Sequence, residues 1–288
     1  MPKTAIALGT FDGLHLGHLE VLNGVCKSDF TPLALTFDTP PKMSDGKNLG
    51  LILTPEQKKE FLLQKGIKTV TLDFEEVKNL SPYKFLSDIT KKLSPKVISC
   101  GFNFRFGKNA SGDADFLKKF CLDNSIECIV SDSVLSYGEP ISSTRIRGAI
   151  SKGDITLANK MLGRNFGFTA PVIHGDKRGR TIGFPTINQK YPSLLVAPRF
   201  GVYAGYTNID GRLYRSVTNI GKRPTFETDY IISETYIFDF DNDIYGKEVA
   251  VYLTSFLRDE VKFSGIEELK NTILADKKRA EMELNIHL

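Results

Sequence analysis

GTFDGLHLGH occupies residues 9–18. It begins where an apolar run, TAIALG at 4–9, ends, and it leads into an amphipathic stretch over 17–27. A buried strand, a glycine-rich turn and a helix in that order open a parallel α/β unit. Ligands of open parallel sheets sit beyond the carboxyl ends of the strands, so this stretch is expected to be a ligand loop. Its glycines let backbone N–H groups approach an anion, and the helix start presents more of them. His15 and His18, three apart at that helix start, can face one ligand. An imidazole donating to a phosphate oxygen offsets charge that grows during phosphoryl or nucleotidyl transfer. Zinc binding and plain packing are the other uses of such a pair. Zinc lacks a third and fourth ligand here, because the remaining histidines, His174 and His287, lie in the other half and no cysteine is near.

The same alternation continues outward. Apolar runs at 31–37, 69–74, 96–101 and 127–132 are near-continuously hydrophobic, as strands buried on both faces are. Amphipathic stretches at 55–65, 81–93 and 113–124 separate them, each opened by a capping signal: Thr54 before Pro55, Ser81 before Pro82, and Ser111-Gly112-Asp113. The pattern predicts a parallel sheet with helices on both faces. Two further helices are expected at about 144–152 and 154–162, divided by Gly153-Asp154. Beyond Gly163 helices give way to short strands, at 166–175, 201–209, 213–221, 233–240 and 248–257, with Asp210-Gly211 as a hairpin turn. That spacing predicts a small antiparallel barrel, closed by a final helix at about 265–284. Two domains follow, 1–164 and 165–288.

Composition narrows the function classes. The chain has 288 residues, 41% hydrophobic and 25% charged, with no run long enough for a transmembrane helix. No signal peptide is read at the start, and the expected location is the cytoplasm. Cys26, Cys100, Cys121 and Cys128 form no C-x-x-C pair and read as reduced core thiols. Residues 1–165 carry 22 Lys and Arg against 18 Asp and Glu, whereas residues 166–288 carry 16 of each. The mild basic excess suits an anionic small molecule and is too dispersed for nucleic acid. Neither a membrane nor an obligate protein partner is implied.

Two segments of the second half carry chemistry. In Gly179-Arg180-Thr181-Ile182-Gly183-Phe184-Pro185-Thr186-Ile187-Asn188 the glycines by themselves read as tight barrel turns. Thr186 and Asn188 are same-face neighbours at period 2, and a hydroxyl and an amide oxygen suit Mg²⁺, a hard cation. Glu234 stands in Ser233-Glu234-Thr235-Tyr236-Ile237-Phe238, where a carboxylate among apolar residues is costly unless used or paired. A structural ion pair and a chemical role both remain open for it.

Several of these motifs resemble those of known families. Gly9-x-Phe11-Asp12-Gly13-x-His15-x-Gly17-His18 resembles the H-x-G-H signature of the nucleotidyltransferase superfamily, and with F-D-G in front it resembles the bacterial FAD synthetases. Ser142-Ser143-Thr144-Arg145-Ile146-Arg147 is similar to their S-S-T-x-x-R motif, although alone it reads as a helix cap with a basic surface. Gly101-Phe102-Asn103-Phe104-Arg105-Phe106-Gly107 resembles the family's flavin-binding segment, although alternate phenylalanines also fit a core turn. The family's F-x-P-H-P appears here as Phe37-Asp38-Thr39-Pro40-Pro41, without the histidine. In the second half, G-x-x-x-G-F-P-T-x-N, then Asn219-Ile220-Gly221-Lys222-Arg223-Pro224-Thr225, then Glu234, then Phe256-Leu257-Arg258-Asp259-Glu260 resemble the riboflavin kinase barrel, in order. Ile187 replaces the family's small residue and is expected to point away from the metal, and Tyr236 replaces its histidine.

Together the motifs resemble the bacterial bifunctional riboflavin kinase/FAD synthetase family over essentially the whole chain. The resemblance implies phosphorylation of riboflavin to FMN and adenylylation of FMN to FAD, with ATP as co-substrate and Mg²⁺ as the metal. It implies catalytic roles for His15, His18 and Glu234, and ATP contacts from Gly9, Phe11, Asp12, Gly13, Ser143, Thr144, Arg147 and Gly179. It further implies flavin contacts from Phe102, Asn103 and Arg258, and metal contacts from Thr186 and Asn188. Two other readings stand beside it. A nucleotidyltransferase with a phosphopantetheine or nicotinamide-nucleotide acceptor is opposed by F-D-G, by the 101–107 segment and by the attached barrel. A regulatory flavin-binding protein, its barrel sensing flavin or binding RNA, is opposed in its RNA version by the neutral charge of residues 166–288.

Overall fold

The structure is a computed structural model and describes residues 3–38, 50–175, 179, 183–223 and 230–285. Its contacts divide the chain into two compact units, Met1–Ser143 and Thr144–Leu288. Of the stretches read above, residues 39–41, 180–182, 224–225 and 287 fall outside the described residues.

In the first unit, strands β1 (Thr4–Leu8), β2 (Thr31–Thr36), β3 (Lys68–Thr71), β4 (Pro95–Gly101) and β5 (Glu127–Ser131) form a parallel sheet in the order β3-β2-β1-β4-β5. The expected helices are α1 (Leu16–Cys26), α2 (Pro55–Gln64), α4 (Pro82–Leu93) and α5 (Ala114–Asp123), with a short α3 (Phe74–Val77) that was not expected. The third strand therefore stops before Phe74, because Asp73 accepts the Glu75 N–H and caps α3. Thr54, Ser81 and Asp113 cap α2, α4 and α5 through their side chains, as read from the sequence. The two faces of the sheet are unequal. Ile6, Leu8, Leu33, Leu35 and Ile98 pack under α4 and α5. Ala5, Ala7 and Ala34 lie on the other face with Val21, Leu22 and Val25 of α1 and Leu62 of α2. Small side chains there let α1 approach closely, so the continuous apolar run of β1 is two different surfaces. A hairpin, β6 (Leu135–Ser136) and β7 (Glu139–Pro140), follows the sheet.

The second unit takes in helices α6 (Ser143–Lys152, from Thr144) and α7 (Ile155–Leu162), then strands β8 (Phe166–Ile173), β9 (Thr186–Lys190), β10 (Gly201–Ile209), β11 (Arg212–Arg223), β12 (Tyr230–Ile237) and β13 (Glu248–Arg258), and helix α8 (Ile266–Asn285). The strands close into an antiparallel barrel in the order β10-β11-β12-β9-β8-β13. Asp210 and Gly211 both have positive φ, the turn that joins β10 to β11. Alternate residues line a buried face rich in hydroxyls: Thr207 bonds Ser216 at 3.0 Å and Thr218 bonds Thr235 at 3.0 Å. The opposite face carries Val202, Ala204 and Val217, which pack against Ala280 and Leu284 of α8.

The contact division falls earlier than the composition change near Gly163, and α7 shows why. Asn159 donates to Leu253 O at 2.8 Å and accepts from Phe166 N at 2.6 Å, and Thr156 donates to Thr254 O at 3.4 Å. The helix thus hydrogen-bonds to the barrel strands that follow it.

Candidate active sites

The first site forms where the strand order reverses. β1 and β4 are neighbours but are separated in sequence by two strands, so their carboxyl ends open a crevice. GTFDGLHLGH leaves β1, and Phe102 and Asn103 leave β4, at that same end of the sheet. The loop is held in a rare backbone shape. Phe11, Gly13 and Leu14 all have positive φ, and the Phe11 and Leu14 side chains are buried, so packing holds a conformation that costs energy locally. A side chain at Gly13 would also meet Ile52 at 2.9 Å, so both the φ of +81° and the space require glycine. Asp12 is buried and accepts the Ile52 N–H at 3.0 Å, while its carbonyl accepts from Ser143 Oγ at 2.9 Å.

His15 is the N-cap of α1, and its Nδ1 accepts the His18 N–H at 3.2 Å. A neutral ring that accepts at Nδ1 carries its hydrogen on Nε2, which makes Nε2 a donor. The two imidazoles stack with centroids 3.6 Å apart, and Phe11 meets His18 edge-on at 5.5 Å. The pair therefore acts as one block at a helix N-terminus, the arrangement suited to an anion. No cluster of three or more His, Cys, Asp or Glu that could hold a metal occurs among the described residues. Ser143 opens α6. Thr144 is exposed and Arg147 half-buried further along that helix, within the second unit. In the 101–107 segment the phenylalanines diverge: Phe106 joins the core, whereas Phe102 is 49% exposed, an aromatic face open to a planar ligand. The Cys100 and Cys121 thiols are buried, as expected of core thiols, and burial pushes Cys100 up to about 12. Cys26 is exposed.

The second site lies on the outer face of the barrel. β9 was not expected as a strand, yet it sets Asn188 opposite Glu234 in the register, and β11 sets Asn219 opposite Glu234 on its other side. The three side chains form a row across three strands, with Thr186 two residues from Asn188 on the same face. The expectation of a costly buried carboxylate is corrected. Glu234 is exposed, because Ser233 and Thr235 take the buried face. Ile187 packs into the apolar cluster with Val172 and Ile237, on the face away from Thr186 and Asn188. Gly175 lies against the Asn188 amide, and a side chain there would fall 2.4 Å from Nδ2. The Gly179 carbonyl accepts from Phe184 N at 2.9 Å. A cavity of about 190 Å³ brings together Thr186, Asn219, Glu234, Arg258 and, from α8, Leu269 and Ile273.

Arg258 is committed to the protein on one edge. Nε donates to Asp276 Oδ1 at 2.9 Å and Nη2 to Oδ2 at 2.7 Å, a bidentate pair that ties β13 to α8. Its Nη1 donates to the Asp259 carbonyl at 3.0 Å. The oxygen donors of Thr186, Asn188 and Glu234 suit a hard cation. The Asn219 Oδ1 nearby is buried and has no hydrogen-bond partner among the described residues, consistent with a site built to receive a ligand.

A riboflavin kinase family model matches residues 162–284, and an FAD synthetase family model matches residues 1–145. The first match covers most of the second unit, and the second covers the first unit and the first two residues of the second. The chain belongs to the bifunctional riboflavin kinase/FMN adenylyltransferase family. Proteins of that name from Listeria monocytogenes and Bacillus subtilis are 36% and 35% identical to it, over 92% and 96% of this chain and 87% and 92% of theirs. The Escherichia coli K12 protein of the same name is 31% identical over 94% of this chain and 90% of its own. A crystal structure named as a macrolide-efflux protein from Streptococcus pneumoniae superposes with a TM-score of 0.88 at 31% identity, covering 98% of this chain and 95% of that one. Here no helix among the described residues is long and apolar enough to cross a membrane. The chain is therefore a transferase of the family that makes FMN and FAD, with an adenylyltransferase half and a kinase half.

The sequence did not single out Lys58 or Asp276, and it gave Asn219 only as part of a motif. For Lys58 a signal existed: it stands four residues before Leu62, on the stripe of α2 that faces the core.

Proposed function

We propose that residues 165–288 transfer the γ-phosphoryl of ATP to the riboflavin 5′-hydroxyl, and that residues 1–164 transfer AMP from a second ATP to the resulting FMN. In the kinase step Glu234 accepts the hydroxyl proton as the oxygen bonds to phosphorus and ADP leaves. Thr186 and Asn188 would hold Mg²⁺, and Gly179 would lie along the nucleotide. When bound, Mg²⁺ would supply charge neutralisation for the transferring group, and the protein contributes mostly position. The apolar wall from Leu269 and Ile273 suits the flavin ring, with Arg258 at its edge.

In the adenylyl step an FMN phosphate oxygen attacks the α-phosphorus of ATP and pyrophosphate leaves, so no covalent enzyme intermediate is needed. His15 and His18 donate to the phosphates from the start of α1, with Ser143, Thr144 and Arg147 of α6 as further donors. Gly9, Phe11, Asp12 and Gly13 shape the loop around the nucleotide. Phe102 and Asn103 meet the flavin. The exposed Cys26 and the other free thiols suit the cytoplasm, and the partners are small molecules.

The observation that supports this reading most is that the two family models match successive stretches of the chain, 1–145 with the His15 and His18 pair and 162–284 with Thr186, Asn188 and Glu234. The test is one incubation of the purified protein with riboflavin, ATP and Mg²⁺, with flavins resolved by chromatography. FMN should appear first and FAD after it. Riboflavin that binds and is recovered unchanged would overturn the reading in favour of a flavin sensor.

A further inference from the structure

Lys58 is 3% exposed, an unusual place for an ammonium. Its Nζ has three hydrogens and meets three acceptors. These are Thr10 O at 3.3 Å, Thr36 Oγ1 at 3.4 Å and the Phe37 carbonyl in a short contact. Thr36 Oγ1 itself donates to Thr10 O at 2.9 Å. All three acceptors lie at or just beyond the carboxyl ends of β1 and β2. Burial pulls the Lys58 ammonium down from its usual range, and the Asp12 and Asp38 carboxylates oppose that shift. A buried charge of this kind is expensive where an aliphatic side chain would fill the same space.

The Thr10 carbonyl is the last one before the strained part of the loop, since Phe11 is the first residue with positive φ. Two donors, Lys58 and Thr36, fix its direction. The segment leading into α2 grips the loop again two residues on, where Ile52 N–H meets Asp12. The loop that carries His15 is thus held just before its strained turn by Lys58 of α2, and within that turn by Ile52 of the segment leading into α2.

We propose that Lys58 is a positioning residue for adenylyl transfer: by holding the Thr10 carbonyl it sets the direction in which the loop presents His15 and His18 to the ATP phosphates. The inference rests on the reading of those histidines as phosphate donors. Displacing reacting groups by about 1 Å costs on the order of 10²-fold in rate, so the clamp acts on turnover more than on binding.

The test uses the full chain with Lys58→Met, which fills the volume and removes the donors. FAD formation from FMN and ATP should lose roughly ten- to a hundredfold in kcat, with KM for ATP within about threefold. FMN formation from riboflavin by the same protein should be unchanged. Rates are expressed per folded site, counted by thermal unfolding of the first unit. A merely structural lysine lowers the unfolding temperature and leaves kcat per folded site at the wild-type value, and that result overturns the proposal. If Lys58→Met does not fold, Thr36→Val decides. It removes the second donor to Thr10 and should lower kcat about two- to fivefold at unchanged KM, whereas wild-type turnover overturns the proposal. His18→Ala run alongside separates the two levels. Normal FAD formation there removes the underlying reading, while a loss at His18 with none at Lys58 removes only the clamp.

Discussion

At the scale of single residues, Glu234 and His18 carry the sharpest tests. Glu234→Gln keeps the size and hydrogen-bonding of the side chain and removes the proton acceptor. Its kinase kcat should fall by about 10² or more, with ATP binding little changed, since general-base contributions run roughly 10²–10⁴-fold. Because Glu234 is exposed on an outer barrel face, the unfolding temperature should hardly move. A Gln variant with wild-type turnover would end the base assignment. His18→Ala should lower FAD formation at least about tenfold and leave FMN formation intact, a donor aimed at developing charge being worth a few kcal/mol. Both residues stand out in the sequence, but the burial expected of Glu234 does not hold. Its neighbours looked apolar as a string, but strand period 2 sends Ser233 and Thr235 inward and leaves Glu234 outside. Lys58 was legible only in part: its place four residues before Leu62 puts it on the core-facing stripe, but its acceptors are strand ends brought close only by the sheet.

At the scale of elements, capping chemistry was the most readable signal: Thr54, Ser81, Asp113 and Asp154 each bond the helix they precede. Asp113 accepts the Phe116 N–H at 2.9 Å, and that bond, more than the pairing with Arg105, holds its carboxyl below the usual range. A depressed carboxyl adds stability above its unfolded pKa and loses it as pH falls through the folded one. Asp113→Ala should therefore lower the unfolding temperature of the first unit at neutral pH, with the gap to wild type closing in acid. An equal gap at all pH would show that the charge has no part in the cap. The element hardest to read was β9, whose TINQK has no apolar run. Its inward residue Gln189 bonds the Ala170 and Val249 carbonyls across the barrel, a use that only closure reveals. The contacts of α7 yield a prediction about truncation. A fragment of residues 166–288 lacks Asn159 and Thr156. It should be less stable than one of residues 154–288 by about 2–3 kcal/mol, at roughly 1 kcal/mol per lost hydrogen bond. Equal denaturation midpoints would remove α7 as a support.

At the scale of the whole molecule, the proposed roles assign the two chemistries to different residues, so each should fail alone. Glu234→Gln supplied with FMN should make FAD at the normal rate, and His18→Ala supplied with riboflavin should accumulate FMN. Mixing the two variants should restore FAD formation from riboflavin, since FMN released by one is a substrate for the other. Failure of the mixture, with each variant active in its own half, would mean that FMN does not pass through solution. The division into a parallel sheet and a barrel followed from periodicity alone, whereas the closed strand order and the row Asn188, Glu234, Asn219 required the structure. That row has a consequence for how the barrel tolerates change over generations. Residues such as Thr218 and Thr235 face the hydroxyl-lined interior, and those proposed to meet substrate face outward, one residue apart along the same strands. Substitutions that retune the outer row do not disturb the partners of the inner one. Lineages can drift toward other flavins or nucleotides while inheriting the same scaffold intact.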